Sequence, residues 1–188
     1  MAMPVVPEAR RYTVAEVLDF PPDGNRYEVV RGELLVTPAS RYRHQLIVMR
    51  LARFLDGYLK PMGFGDAVFA VAADTTWGIH PREAEDLVQP DVFVLPPGAS
   101  YREWLDVSRL ELVAEVLSPS CPRGDRVTKR LTYQRHGVAT YWIVDPEAAL
   151  VEVWHPEDAR PEIVTDLLTW KLGEAASELR IPLAELFA

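Results

Sequence analysis

The stretch "LVAEVLSPSCPRGDRVTKRLTYQRHG", Leu112 to Gly137, decides how this chain folds. It opens as an apolar run with Glu115 in its middle, passes through a loop rich in Ser and Pro, and continues as a helix that stops at Gly137. Leu112, Val113, Ala114, Val116 and Leu117 read as a strand covered on both faces. An ionised carboxylate in such a strand must be paired, hydrogen-bonded or metal-bound, because uncompensated burial costs several kcal/mol. Glu115 is therefore either the partner of an arginine or a metal ligand facing a cleft. At about 100° per residue, Asp125, Lys129, Thr132, Tyr133 and His136 share one side of the helix, with Val127, Leu131 and Gln134 opposite. Asp125 and Lys129 alone make an ordinary i,i+4 pair, worth about 0.2–0.5 kcal/mol on a surface.

Working outward, "TVAEVLDF" from Thr13 carries a capping box, with Glu16 three residues after the cap, and predicts a short helix. "RYEVVRGELLVTP", Arg26 to Pro38, reads as a hairpin turning at Arg31-Gly32. "RHQLIVMRLARFLDGYL" places Ile47, Val48, Leu51, Phe54, Leu55 and Tyr58 at helical spacing. "FGDAVFAVAA" and "LVQPDVFVL" are each expected as one strand, with "TTWGIHPREAED" a polar loop between them. "TYWIVDP" and "LVEVWHP" form a strand pair turning near Asp145-Pro146, "PEIVTDLLTWKL" adds a strand or two, and "PLAELFA" closes the chain as a short helix. The order of elements predicts an α/β domain (α+β, with a mixed sheet), a central sheet flanked by helices. One domain over residues 1–188 is expected, with residues 1–11 as a loose arm.

Of the 188 residues, 48% are hydrophobic and 26% charged, the mix of a globular protein. No apolar run approaches the roughly 20 residues of a membrane span, and no signal peptide is evident, so a cytoplasmic setting is expected. The single cysteine, Cys121, excludes an intrachain disulfide and a cysteine-built zinc site. The net charge of -8 argues against a generic nucleic-acid binder. The segment from Arg123 to Gly137 departs from it, with five basic residues against Asp125 alone, and reads first as a solvated helix face. Seventeen of the twenty basic residues are arginine, yet position 129 keeps lysine, a compact charge whose pKa can shift.

Pro90 lacks a ladder donor and so sits at a strand start, edge or bulge, which places Asp91 where the chain enters a strand. Two acids on neighbouring strands with a lysine on the next helix are the parts of metal-assisted phosphodiester hydrolysis. Hard oxygen ligands suit Mg²⁺, and an ammonium stabilises charge on phosphate.

In this arrangement the chain resembles the PD-(D/E)XK nuclease superfamily, through Pro90-Asp91 and Glu115-Val116-Leu117, with Leu117 where a lysine is usual. It is similar in particular to the Uma-type restriction-endonuclease-like family, where a helix lysine takes that place. Tyr27-Glu28, Gly32-Glu33, His44, Gln89-Pro90-Asp91, "EVLSPS" from Glu115, the Asp125, Lys129, Tyr133 series, Gly137-Val138, Tyr141-Trp142 and Asp145-Pro146 match its ordered motifs, over roughly residues 12–187. Thr140 and the Arg109-Leu110-Glu111 segment depart from it.

The resemblance implies a restriction-endonuclease-like core with an N-terminal hairpin extension, and a homodimeric endonuclease acting on DNA. Asp91, Glu115 and the Val116 carbonyl would hold Mg²⁺ or Mn²⁺, with Glu33 as a further acid near the metal. Lys129 would act on the water or the scissile phosphate. His44 shares a helical face with Val48, Leu51 and Leu55 and reads as a core histidine; Tyr133 either packs, or orients the lysine or contacts phosphate. Two other functions remain open: a silent nucleic-acid or protein-binding module on the same fold, and a hydrolase of a smaller phosphate ester. The joint presence of Asp91, Glu115 and Lys129 favours the nuclease over a silent module.

Overall fold

The computed structural model describes residues 10–38, 41–70, 75–77, 84–99, 102–107, 109–118, 123–174 and 177–188, with backbone alone for 75–77 and 123–126. Cys121 and the Pro119-Ser120 part of the loop before it lie outside the described residues, as does the arm up to residue 9, and so does the side chain of Asp125.

Helix α1 (Val14–Leu18) begins at the expected capping box: the Thr13 hydroxyl accepts from the Glu16 N–H, and the Glu16 carboxylate accepts from the Thr13 N–H. The hairpin β1 (Arg26–Val30) and β2 (Glu33–Thr37) turns at Arg31-Gly32. Both turn residues have positive φ, 51° and 80°, the backbone of a type I′ turn. Gly32 meets a second demand: a Cβ there would lie 2.9 Å from Arg11 Nε, so the turn and the segment before α1 close on each other. Helix α2 (Tyr42–Leu59) buries Ile47, Val48, Leu51 and Leu55 of the predicted stripe, with Phe54 and Tyr58 half-buried and Leu59 buried in addition.

"LVQPDVFVL" departs from the expectation of one strand. It forms β5 (Asp86–Val88) and β6 (Val92–Val94), which belong to different sheets. Pro90 breaks the ladder, and the chain passes from one sheet to the other across Gln89-Pro90-Asp91. The polar loop before it also contains a strand, β4 (Thr75–Trp77), paired antiparallel with β5. Its Thr-Thr-Trp signal is short and the surrounding sequence is polar, so polarity outweighed β propensity.

The four-stranded sheet has the order β2-β1-β5-β4. The hairpin is thus not a free extension: Val29 of β1 pairs with Leu87 of β5. The central six-stranded sheet joins β6 to β3 (Val68–Phe69), β7 (Leu112–Val116), β8 (Thr140–Asp145), β9 (Leu150–Trp154) and β10 (Glu162–Val164). Its order is β10-β9-β8-β7-β6-β3. It is mixed: β7 and β8 run parallel, joined by helix α3 (Arg123–Arg135), and the other neighbours are antiparallel. A further hairpin, β11 (Leu167–Trp170) with β12 (Leu179–Pro182), leads into helix α4 (Leu183–Phe187).

Side chains alternate across β7 and β6 and so supply two cores. Val92, Val94, Leu112, Ala114 and Val116 face α2, the β11–β12 hairpin and α4. Phe93 and Val113 face the other way, with Tyr133 of α3 and Tyr141 and Ile143 of β8. Glu115 shares the parity of Val113, so its side chain enters the α3 side. Among the described residues no helix is long and apolar enough to cross a membrane.

Candidate active site

Three carboxylates and two permanent cations meet where the two sheets adjoin. Asp91 comes from the crossover, Glu115 from β7, Arg26 and Glu28 from β1, and Lys129 and Tyr133 from α3. Arg26 and Glu28 are two residues apart on a strand and therefore project from the same face. Glu28 is fully enclosed, and Asp91, Glu115 and Lys129 are each 6–7% exposed.

Asp91 is held on both oxygens. Oδ1 accepts from Arg26 Nη1 at 2.8 Å. Oδ2 accepts from the Val116 N–H at 2.9 Å and lies 3.0 Å from His44 Nε2. Burial opposes the ionised form, but the His44 bond and the Arg26 charge outweigh it and hold the Asp91 carboxyl well below the usual carboxylate range. His44 Nδ1 is buried with no hydrogen-bond partner among the described residues.

Glu115 Oε1 accepts from the Tyr133 hydroxyl at 2.8 Å and from Lys129 Nζ at 3.2 Å. Here burial dominates, and the neighbouring Asp91 and Glu28 add to it. Against the pull of Lys129 and Arg26, the Glu115 carboxyl is pushed up to about 7. Lys129 Nζ also lies 2.7 Å from Glu28 Oε2, and Glu28 Oε1 accepts from the Gln89 N–H at 2.8 Å. Burial works against the Lys129 charge, yet the flanking Glu115 and Glu28 hold it protonated, its pKa raised above the ordinary lysine value. It is a fixed cation and hydrogen-bond donor rather than a base. Burial and the neighbouring Glu115 keep Tyr133 a phenol, its pKa raised well above the usual value.

Glu28, Asp91 and Glu115 carry three negative charges when ionised, against two positive charges on Arg26 and Lys129. The surplus acid is Glu115, whose pKa moves up while that of Asp91 moves down. Glu115 Oε2 forms no hydrogen bond among the described residues, and Asp91 Oδ1 accepts only one of the two it can. A hard divalent cation fits this donor set. Mg²⁺ is commonly held by one or two carboxylates and completed by water and phosphate oxygens. No group of three acid, histidine or cysteine side chains is gathered around a single point among the described residues, so a metal here would rely on such completion. A cleft of about 350 Å³ opens onto Asp91 and Arg26, walled by Asn25, Thr37, Gln45 and Gln89.

Asp91, Glu115, Lys129, Val116 and Tyr133 therefore come together, and so does His44, which ties the long helix to Asp91 as well as packing in it. Glu33 does not join them. It is exposed at the start of β2, five residues beyond Glu28 and past the turn, and lines a different cavity. Sequence reasoning assigned no role to Arg26 or to Glu28. Their signal lay in the β1 alternation, where two charges share a face with buried Val30. The basic run on α3 is not one solvated face either. Lys129 is buried between acids, Arg130 lies 4.3 Å over the Trp154 ring, and Arg135 pairs with buried Asp86.

Comparison with known proteins agrees with this architecture. No curated protein matches. A crystal structure described as "a putative nuclease belonging to DUF820" from Anabaena variabilis superposes with a TM-score of 0.75, over 94% of this chain and 97% of that one, at 21% identity. Similarity at that identity speaks to fold. The Uma2 family, described as "Putative restriction endonuclease", matches residues 14–184, nearly the whole chain. The chain belongs to the Uma2 family.

Proposed function

We propose that this protein is a metal-dependent endonuclease that hydrolyses phosphodiester bonds of DNA, with Asp91, Glu115 and Lys129 as its catalytic residues. The observation that carries the reading is the charge imbalance at a site that opens onto a cleft through Asp91 and Arg26: three acids, two cations, and one acid whose pKa is displaced to neutrality. A structural ion-pair network has no need of the surplus acid, since replacing it with an amide would leave two charges of each sign. A site for a divalent cation does need it.

Asp91, Glu115 and the Val116 carbonyl would hold Mg²⁺ or Mn²⁺, which when bound lowers the pKa of a coordinated water and neutralises charge on the phosphate. Arg26 and His44 fix the Asp91 carboxylate, and the Val116 N–H fixes the peptide beside it. Tyr133 fixes Glu115. Lys129 presents a permanent charge toward the scissile phosphate or its attacking water, where negative charge grows in the transition state. Glu28 sets the position of that ammonium. The reading extends to a homodimer, since cutting both strands of a duplex calls for two such centres.

The test is cleavage of a supercoiled plasmid, with Mg²⁺ or with chelator, by wild type and by Glu115→Gln and Lys129→Met. Nicking or linearisation by wild type with Mg²⁺, abolished by chelator and reduced at least ~100-fold in both variants, is the expected result. Equal activity in wild type and Glu115→Gln would mean that the cleavage comes from elsewhere.

A further inference from the structure

A second, larger cavity, about 1460 Å³ in volume, lies along the neighbouring flank of α3. It is walled by the segment before α1, by the β1–β2 turn and by α3. Among the described residues four arginines reach it, Arg10, Arg11, Arg31 and Arg135, against two acids, Glu33 and Glu85. In a chain of net charge -8, a groove with a surplus of two positive charges stands out from its surroundings.

Three observations point to a ligand. Thr132 lines this cavity, is 1% exposed, and its hydroxyl has no hydrogen-bond partner among the described residues. A buried hydroxyl left unpaired is costly, so an acceptor or donor is missing from its surroundings. Arg31 is exposed, and its guanidinium forms no ion pair or hydrogen bond among the described residues. Arg31 also holds a φ of 51° at the first central position of a type I′ turn, where Asn, Asp or Gly is at ease and an arginine is strained. Turn geometry does not ask for arginine there, so the turn projects an exposed cation that its backbone does not need.

The other arginines are differently engaged. Arg11 donates to the Arg31 carbonyl, Arg135 pairs with Asp86, and Arg10 pairs loosely with Glu16 while lying 4.4 Å over the Tyr12 ring. Arg10 and Arg31 are thus the two that can turn toward an anion.

Resting on the nuclease reading, we infer that this groove is the track for the phosphodiester backbone of the DNA substrate beside the cutting site. The two share a wall. Thr128 and Thr132 of α3 face the groove, while Lys129 and Tyr133, the next residue of each pair, reach Glu115. A helix is about 10–12 Å across, so a strand passing from the carboxylate cluster along α3 reaches Arg31 within a few nucleotides.

The test is binding without cleavage. Wild type, Arg31→Asn and the double variant Arg10→Gln/Arg31→Asn, as intact chains in chelator, would be titrated against a fluorescent DNA duplex of about 20 base pairs over a range of salt. Asparagine suits the turn better than arginine, so the melting temperature of Arg31→Asn should hold or rise, which separates binding from folding. Loss of one phosphate contact should weaken binding several-fold and reduce the slope of log K against log salt by about 0.9, and the double variant by about twice that. An unchanged slope in both variants, or no DNA binding by wild type, would overturn the groove. Because no cleavage is measured, the groove could fail while plasmid cutting stands, and the reverse result would keep the groove and remove the catalytic reading.

Discussion

Glu115 works against the stability of the metal-free protein, and the sign can be followed. Its carboxyl is pushed from the ordinary glutamate range up to about 7 in the folded state, chiefly by burial. The folded chain therefore holds this proton to higher pH than the unfolded chain does. The interaction favours folding below the unfolded value and fades as pH rises toward and past 7. Glu115→Gln keeps a carbonyl to accept from Tyr133 and leaves Glu28 and Asp91 facing Arg26 and Lys129, two charges of each sign. We expect the variant to be about 1–3 kcal/mol more stable than wild type in chelator at about pH 8, with the difference closing by about pH 5. Urea denaturation at the two pH values decides it, and a variant less stable than wild type at the higher pH would contradict the charge count. The same substitution should end cleavage, so stability and activity separate at one atom.

Helix α3 is inverted relative to ordinary amphipathic helices. Its Lys129 and Tyr133 are buried against the sheets, while Val127 is 51% and Leu131 46% exposed. Val127→Lys, which a hydropathy argument would accept as an improvement, should change stability by no more than about 0.5 kcal/mol. Lys129→Leu, which the same argument would welcome at a buried position, should cost about 3–5 kcal/mol by removing the cation that Glu28 and Glu115 share. Chemical denaturation of the two variants ranks them directly. The polar side of α3 was legible from its helical spacing, but not that it faced inward, because pattern alone does not say which face meets the sheet. The hairpin, the α1 cap, α2 and the strand holding Glu115 were legible because local chemistry decides each of them. Gly137 likewise ends α3 as expected, with φ of 69° and the Val138 N–H bonded to the Tyr133 carbonyl. The division of "LVQPDVFVL" between two sheets was not legible, since alternation is the same whether a strand's neighbours change or not. Arg26 and Glu28 received no role for a related reason: nothing in the hairpin's own sequence says that β5 covers it.

Across the whole molecule, the four-stranded sheet is fastened to α3 at a second buried acid. Asp86 Oδ1 accepts from the Arg31 N–H at 2.9 Å, and Oδ2 meets His136 Nε2 at 2.7 Å and the Arg135 guanidinium. Despite burial, these partners lower the Asp86 pKa below its ordinary value. A carboxylate so lowered contributes stability above its unfolded pKa of about 4, and that contribution is lost as pH falls through the folded value. Asp86→Asn should therefore be about 2–4 kcal/mol less stable than wild type near pH 7, with a gap that shrinks below about pH 4. Stability measured at neutral pH and near pH 3 tests this, and a gap that stays constant would assign the loss to packing. Between this fastening and the carboxylate cluster, the two sheets meet through charges, on both sides of the short Gln89-Pro90-Asp91 crossover. That seam constrains ancestry as well as chemistry. A descendant that lost Lys129 in one step would inherit two acids without their shared cation and a weakened join between its sheets, so Lys129 is not the member that mutational drift discards first. A silent lineage would have to exchange acid and lysine together, or enter through Glu115, the one member whose loss leaves the rest in balance.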